Sequence, residues 1–182
     1  MINKGDLLIA EPNVLNDINF NRSVILIVEC NQNGSVGFIL NKALEYSTKQ
    51  LLPNLKFNFP IYNGGPVQKE NLYFIHNKPD LISESIKINN EIYWGGNFDS
   101  VLNLINNNKL KKNNIKFFLG YSGWDSFQLE AEINNSSWTV NNNYSCYEKL
   151  LKSCKNLWKQ NLINLGGDYL IWSNSPENPN HN

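Results

Sequence analysis

Apolar residues come in short blocks separated by Asn, Gly and Pro, and the spacing inside the blocks switches between the alternation of strands and the wider period of helices. Leu7 to Ala10, Val24 to Val28 and Val36 to Leu40 predict strands, the second continuous enough for burial on both faces. Gly34 supplies a turn between the last two, which makes Arg22 to Asn41 a predicted hairpin. A short helix around Leu51 and Leu52 must stop before Pro53, because the residue preceding a proline is driven out of the helical region. Ile61 to Asn63, Leu72 to His76, Ser85 to Ile88 and Ile92 to Trp94 predict further strands. Asn97 is placed to cap a helix through about Asn106, with Val101, Leu102 and Ile105 on one face.

The second half continues the alternation. Ile115 to Leu119 predicts a strand that enters a tight Gly120-Tyr121-Ser122-Gly123-Trp124 turn, followed by an acidic helix. After a strand over Trp138 to Val140, one helix is predicted from Tyr144 to Leu165, carried by Leu150, Leu151, Cys154, Leu157, Trp158 and Leu162 and closed by Gly166 and Gly167. The Pro- and Asn-rich end predicts a disordered tail over 173–182 after a single mixed α/β (α+β) domain over 1–172.

Composition narrows the function classes. Sixteen basic and sixteen acidic side chains cancel, so no global field draws the chain to nucleic acid or an anionic membrane, and specific DNA binding is not expected. The densest basic group, Lys109, Lys111, Lys112 and Lys116, reads as solvated loop charge. The longest apolar run, Val24 to Val28, is far too short to span a membrane, and a cytoplasmic location is the expectation. Three cysteines without a C-x-x-C pair and two histidines do not make a zinc set, and no cofactor is expected. Cys146 and Cys154 lie about 12 Å apart along a helix, which suits half-buried packing better than a redox pair. Runs such as "INNNKLKKNN" read as loops with a bias toward Asn.

Candidate chemistry sits in a few places. Ser122 lacks the glycine two residues on that a nucleophile elbow requires, and with Asp125 three residues later it reads as the cap of the acidic helix. A helix start beside Gly120 and Gly123, and the Gly64-Gly65 turn, offer backbone amides suited to an anion. Gln128 and Glu132 share a helix face from which Glu130 is turned away, so solvated charge is the simpler reading of Glu130 and ligand contact by Gln128 or Glu130 the alternative. His76 reads as a structural histidine. Arg22 is the only arginine among fifteen lysines, at the entry of the apolar strand. A lone guanidinium in such a chain points to a bidentate contact, either with an internal carboxylate such as Asp17 or Glu130 or with an external anion.

The ordered motifs "GDLLIAEP", "DINFNRSVILIVE", "GSVGFILNK", "YNGGPV", "LYFIH", "FFLGYSGWDSFQLEAEI", "SSW" and "LWKQNLINLG" resemble the AlgH/YqgE family over about residues 5 to 168. The resemblance implies a strongly curved mixed sheet flanked by helices, and carries the family's label of transcriptional regulator without an accepted catalytic set. A histidine is common in that family where this chain has Cys30, and glycines where it has Asp125 and Phe127. A binding or regulatory protein without covalent chemistry is the expected role, with unknown partners that include an anionic small molecule or another protein. The alternative is a small enzyme acting on an anionic substrate at the glycine turns. The expected ligand residues are Arg22, Asn41, Gly64, Gly65, Ser122, Gly123, Trp124, Gln128 and Glu130.

Overall fold

The computed structural model describes residues 2–14, 17–144, 146–152 and 155–175. Among these residues ten strands form one sheet: β1 (Leu7–Ala10), β2 (Val24–Asn31), β3 (Gly34–Ile39), β4 (Ala43–Ser47), β5 (Pro60–Asn63), β6 (Val67–His76), β7 (Ile86–Lys87), β8 (Tyr93–Trp94), β9 (Ile115–Asp125) and β10 (Trp138–Asn141). Along the main path the order is β10-β1-β2-β3-β9-β6-β8-β7, with β4 and β5 branching off beside β9. All pairings are antiparallel except β5 with β9. Among the described residues five helices flank the sheet: α1 (Thr48–Leu51), α2 (Phe98–Asn106), α3 (Gln128–Asn134), α4 (Leu157–Leu165) and α5 (Tyr169–Ser173). The mixed α/β domain predicted from the sequence is the fold observed.

β9 organises the molecule because it is buried on both faces. Phe118 joins the core formed with β1, β2, β3 and α4, while Ile115, Phe117 and Leu119 face a second core under α2. Alternation along one strand thus feeds two hydrophobic clusters. Phe38 stacks on Phe118 at 4.8 Å between ring centroids, tying β3 to the first of them.

Several boundaries differ from the sequence reading. The predicted turn at Gly120 to Trp124 is the continuation of β9, which runs on to Asp125. The predicted helix from Tyr144 to Leu165 is broken into a 3-10 turn, Tyr147–Leu151, and α4. The break lies where Lys116 reaches in: its ammonium donates 3.0 Å bonds to the carbonyls of Leu150 and Lys152, which a continuing helix would have used itself. Lys116 is consequently not loop charge. It is 2% exposed, and its Nζ lies 4.0 Å from the centre of the Tyr62 ring. Cys146 is half-buried, and Cys154 falls outside the described residues. α5 carries the fold past Trp172, since Ser173 is buried and Ser175 bonds Arg22; the rest of the expected tail, 176–182, also falls outside the described residues.

Candidate functional site

The glycine-rich stretches meet where three strands converge. β5 lies beside β9 through Asn63↔Leu119, and β3 takes over the same edge from Gly37↔Ser122 onward. Gly64 sits at the changeover. Its amide donates to Leu119 O at 2.8 Å, while its carbonyl accepts from Ile39 N at 3.0 Å and from Ser122 Oγ at 3.1 Å. A β-carbon on Gly64 would fall on the Gly120 carbonyl, so only glycine permits the approach. The Gly65 amide is likewise engaged, by Asn63 Oδ1 at 3.1 Å.

This geometry overturns two expectations. Ser122 does not cap a helix; it is fully buried inside β9 and ties that strand to the β5 turn. α3 begins later, after Phe127, whose φ of 64° places a bulky side chain in the left-handed region. No side chain caps α3 at that point; Gln128, its first residue, reaches back to accept from Asp125 N at 3.0 Å. Nor do the paired glycines form an anion nest, because their amides are spent on protein acceptors.

Trp124 and Gln128 belong to a separate cluster around Glu132. One carboxylate oxygen accepts both the Trp124 and the Trp138 indole N–H, at 2.9 and 2.8 Å, and the other accepts from the Gln128 side chain. Phe20 packs against both indoles. Glu130 is exposed, in keeping with the solvated reading, and Gly123 is exposed on β9.

Arg22 and Asn41 lie together in a different place. Arg22 adopts φ 52° at the end of the loop before β2, and Asn41 pins that geometry: its Nδ2 donates to Arg22 O at 2.8 Å and its Oδ1 accepts from Val24 N at 2.9 Å. The guanidinium lies 5.1 Å from the centre of the Trp158 ring and donates to Ser175 through its carbonyl and its hydroxyl, at 3.1 and 3.0 Å. Trp158 is itself fixed by its indole N–H on Ala10 O.

Around this pair opens a cleft of about 330 Å³ lined by Arg22, Lys42, Lys155 and Lys159 and, among the described residues, by no aspartate or glutamate. Burial pulls the Lys42 ammonium below its ordinary pKa, against the raising effect of Asp17, and it donates to Asn19 O at 2.7 Å. Asn156, at the N-cap of α4, also lines the cleft without making a side-chain cap bond, so the first-turn amides of α4 add positive potential at its mouth. The three lysines were not singled out from the sequence because they are 117 residues apart at the extremes and only folding gathers them.

His76 is fully buried, with Nδ1 accepting from Lys78 N at 3.1 Å and Nε2 near Gly95 O at 3.2 Å. Both ring nitrogens are committed, and burial lowers its pKa to about 4. Among the described residues no three His, Cys, Asp or Glu side chains gather as metal ligands would, and no helix is long and apolar enough to cross a membrane.

The comparisons with known proteins agree with the motif order. The AlgH-like family model (DUF179) matches residues 7–170. The chain belongs to the AlgH-like family. Among relatives of this AlgH-like protein, a UPF0301 protein of Cytophaga hutchinsonii is 38% identical over 184 residues, spanning 100% of both chains. One of Chlorobium limicola is 38% identical, covering 98% of this chain and 95% of that protein. In fold, it is similar to the crystal structure of DIP2367 from Corynebacterium diphtheriae, with TM-score 0.75 and 18% identity over 96% of this chain and 93% of that one. The solution structure of AlgH from Pseudomonas aeruginosa gives TM-score 0.70 and 24% identity over 95% and 94% of the two chains.

Proposed function

We propose that this AlgH-like protein is a non-catalytic binding protein for an anionic small molecule, held in the cleft between the loop before β2 and the start of α4. The observation that carries this reading is the convergence of Arg22, Lys42, Lys155 and Lys159 on one cavity, lined among the described residues by no aspartate or glutamate. An anion entering the cleft would meet cationic side chains from three separate segments of the chain. A binding role fits better than catalysis because the buried histidine has both nitrogens engaged in structure. A regulator of this kind would answer to its ligand instead of reading DNA: the exposed Lys109, Lys111 and Lys112 sit in one short loop, a small contact for a duplex.

Thermal melts with orthophosphate at constant ionic strength test the reading. At tenfold excess over Kd, a single site is expected to raise the melting temperature by about 4 °C. The Lys155→Ala/Lys159→Ala double variant should lose most of that rise. An equal rise in the double variant, or none in the wild type, overturns the assignment.

A further inference from the structure

α4 borders two cavities with different faces. Lys155, Trp158 and Lys159 turn to the basic cleft, whereas Leu157, Gln160, Asn161 and Asn164 line a larger cavity of about 560 Å³ that also takes in the end of β10 and the segment around Cys146. Positions spaced three and four apart on a helix share a face and normally carry an apolar stripe. Here that face carries carboxamides. Asparagine is a poor helix former because its side chain competes for the backbone, so helix propensity does not account for Asn161 and Asn164 in a helix of 9 residues.

The inner members of this set hold the wall in shape. Asn161 is 3% exposed, donates to Leu157 O at 2.9 Å and accepts from Asn141 Nδ2 at 3.2 Å. Asn141 Oδ1 accepts in turn from Asn143 N at 3.1 Å, which fixes the loop after β10. The outer members, Asn142, Gln160 and Asn164, are exposed residues of the lining, so their carboxamides are open to a ligand. Among the described residues Lys149 is the one charged side chain on this wall. A carboxamide offers a carbonyl acceptor and two N–H donors, which matches a hydroxyl that donates and accepts at once. Half-buried Tyr144 adds an aromatic surface beside these polar groups.

We infer that this cavity is a second binding site, for a neutral sugar, whose hydroxyls bond Asn142, Gln160 and Asn164 while a C–H face lies against Tyr144. Its volume falls within the roughly 300–1,000 Å³ of small-molecule pockets. The site is separate from the basic cleft and does not depend on an anion binding there.

Saturation-transfer NMR with methyl α-D-glucopyranoside, methyl α-D-galactopyranoside and sucrose tests the inference. At least one of the three is expected to bind the wild type with a Kd of about 10 mM or below, the range open to ligands of this size. Gln160→Ala/Asn164→Ala should weaken that sugar by about tenfold or more, the loss of two net hydrogen bonds. Both residues are exposed and alanine favours a helix, so the variant is expected to fold. Lys155→Ala/Lys159→Ala should bind the sugar as the wild type does, which keeps this result distinct from that of the basic cleft. Absence of transfer to all three sugars, or unchanged affinity in the Gln160/Asn164 variant, would overturn the assignment.

Discussion

The glycine junction and the basic cleft look alike in sequence and opposite in structure. Both belonged to one expected ligand set, one for its backbone amides and the other for its single guanidinium, and the structure sets them apart. At the junction every group that recommended it is consumed: the Gly64 and Gly65 amides and the Ser122 hydroxyl all bond other parts of the sheet. At the cleft, long side chains from the β2 loop, the end of β3 and the start of α4 line an open space. Backbone donors near a strand are claimed by strands, because an unpaired buried amide is costly. Lys155 and Lys159, at the start of α4, are exposed and stand outside that competition.

The sharpest way to break the contrast is to add a methyl group on its closed side. Gly64→Ala should destabilise the protein by more than about 3 kcal/mol in urea unfolding, since the new carbon collides with the backbone carbonyl of Gly120 and not with a movable side chain. A loss below 1 kcal/mol would mean that the junction yields as a loop does.

The next effect lies at the other end of β9, where His76 of β6 is opposite Ile115. Its folded pKa of about 4 stands below its ordinary value of 6.5, so the unfolded chain binds the proton more readily. Stability from this group is therefore complete above about pH 6.5, declines as the pH falls toward 4 and levels off below it, for a total of about 3 kcal/mol. Urea midpoints measured from pH 7.5 to 4 should show this fall, and His76→Asn should flatten its share of it.

Ser122 gives a smaller but more diagnostic change. Ser122→Ala should cost about 1 kcal/mol through loss of the bond to Gly64 O. Ser122→Gly should cost more than alanine, because glycine weakens a strand interior. For a helix cap the order would be reversed, with glycine the milder replacement. Comparing the two melting curves therefore separates the two structures.

On the open side, changes in stability should almost vanish. Lys155 and Lys159 are exposed, so Lys155→Ala and Lys159→Ala should each shift the urea midpoint by less than about 0.5 kcal/mol equivalent. Losses of 2 kcal/mol or more would show that these lysines hold the fold together, and the cleft would then be as structural as the junction.

Much of the architecture was legible because it follows from local rules. The continuous run in β2, the Gly34 turn of the β2–β3 hairpin and Asn97 as the cap of α2, where its side chain accepts from Ser100 N, were all readable from neighbours in the chain. Glu130 as solvated charge and the shared face of Gln128 and Glu132 were readable for the same reason. Misreadings occurred where a distant residue decided the outcome. Gly120 looked like a turn because glycine usually marks one; β3, β5 and β6 pairing along β9 made it a strand position. The helix expected through Leu165 was interrupted where Lys116, more than thirty residues earlier, takes the carbonyls of Leu150 and Lys152.

Sequence alone determined the family, through motifs in fixed order, and the mixed α/β class, through alternating hydrophobic periods. It also marked Arg22 as unusual, since one guanidinium among fifteen lysines stands out without any structure. Tertiary structure decided what surrounds it. Lys42, Lys155 and Lys159 join it in one cleft only when the loop before β2 meets the start of α4 across Trp158. Periodicity records which face of an element is buried; it carries no information about which exposed charges, far apart in the chain, will come to share a cavity.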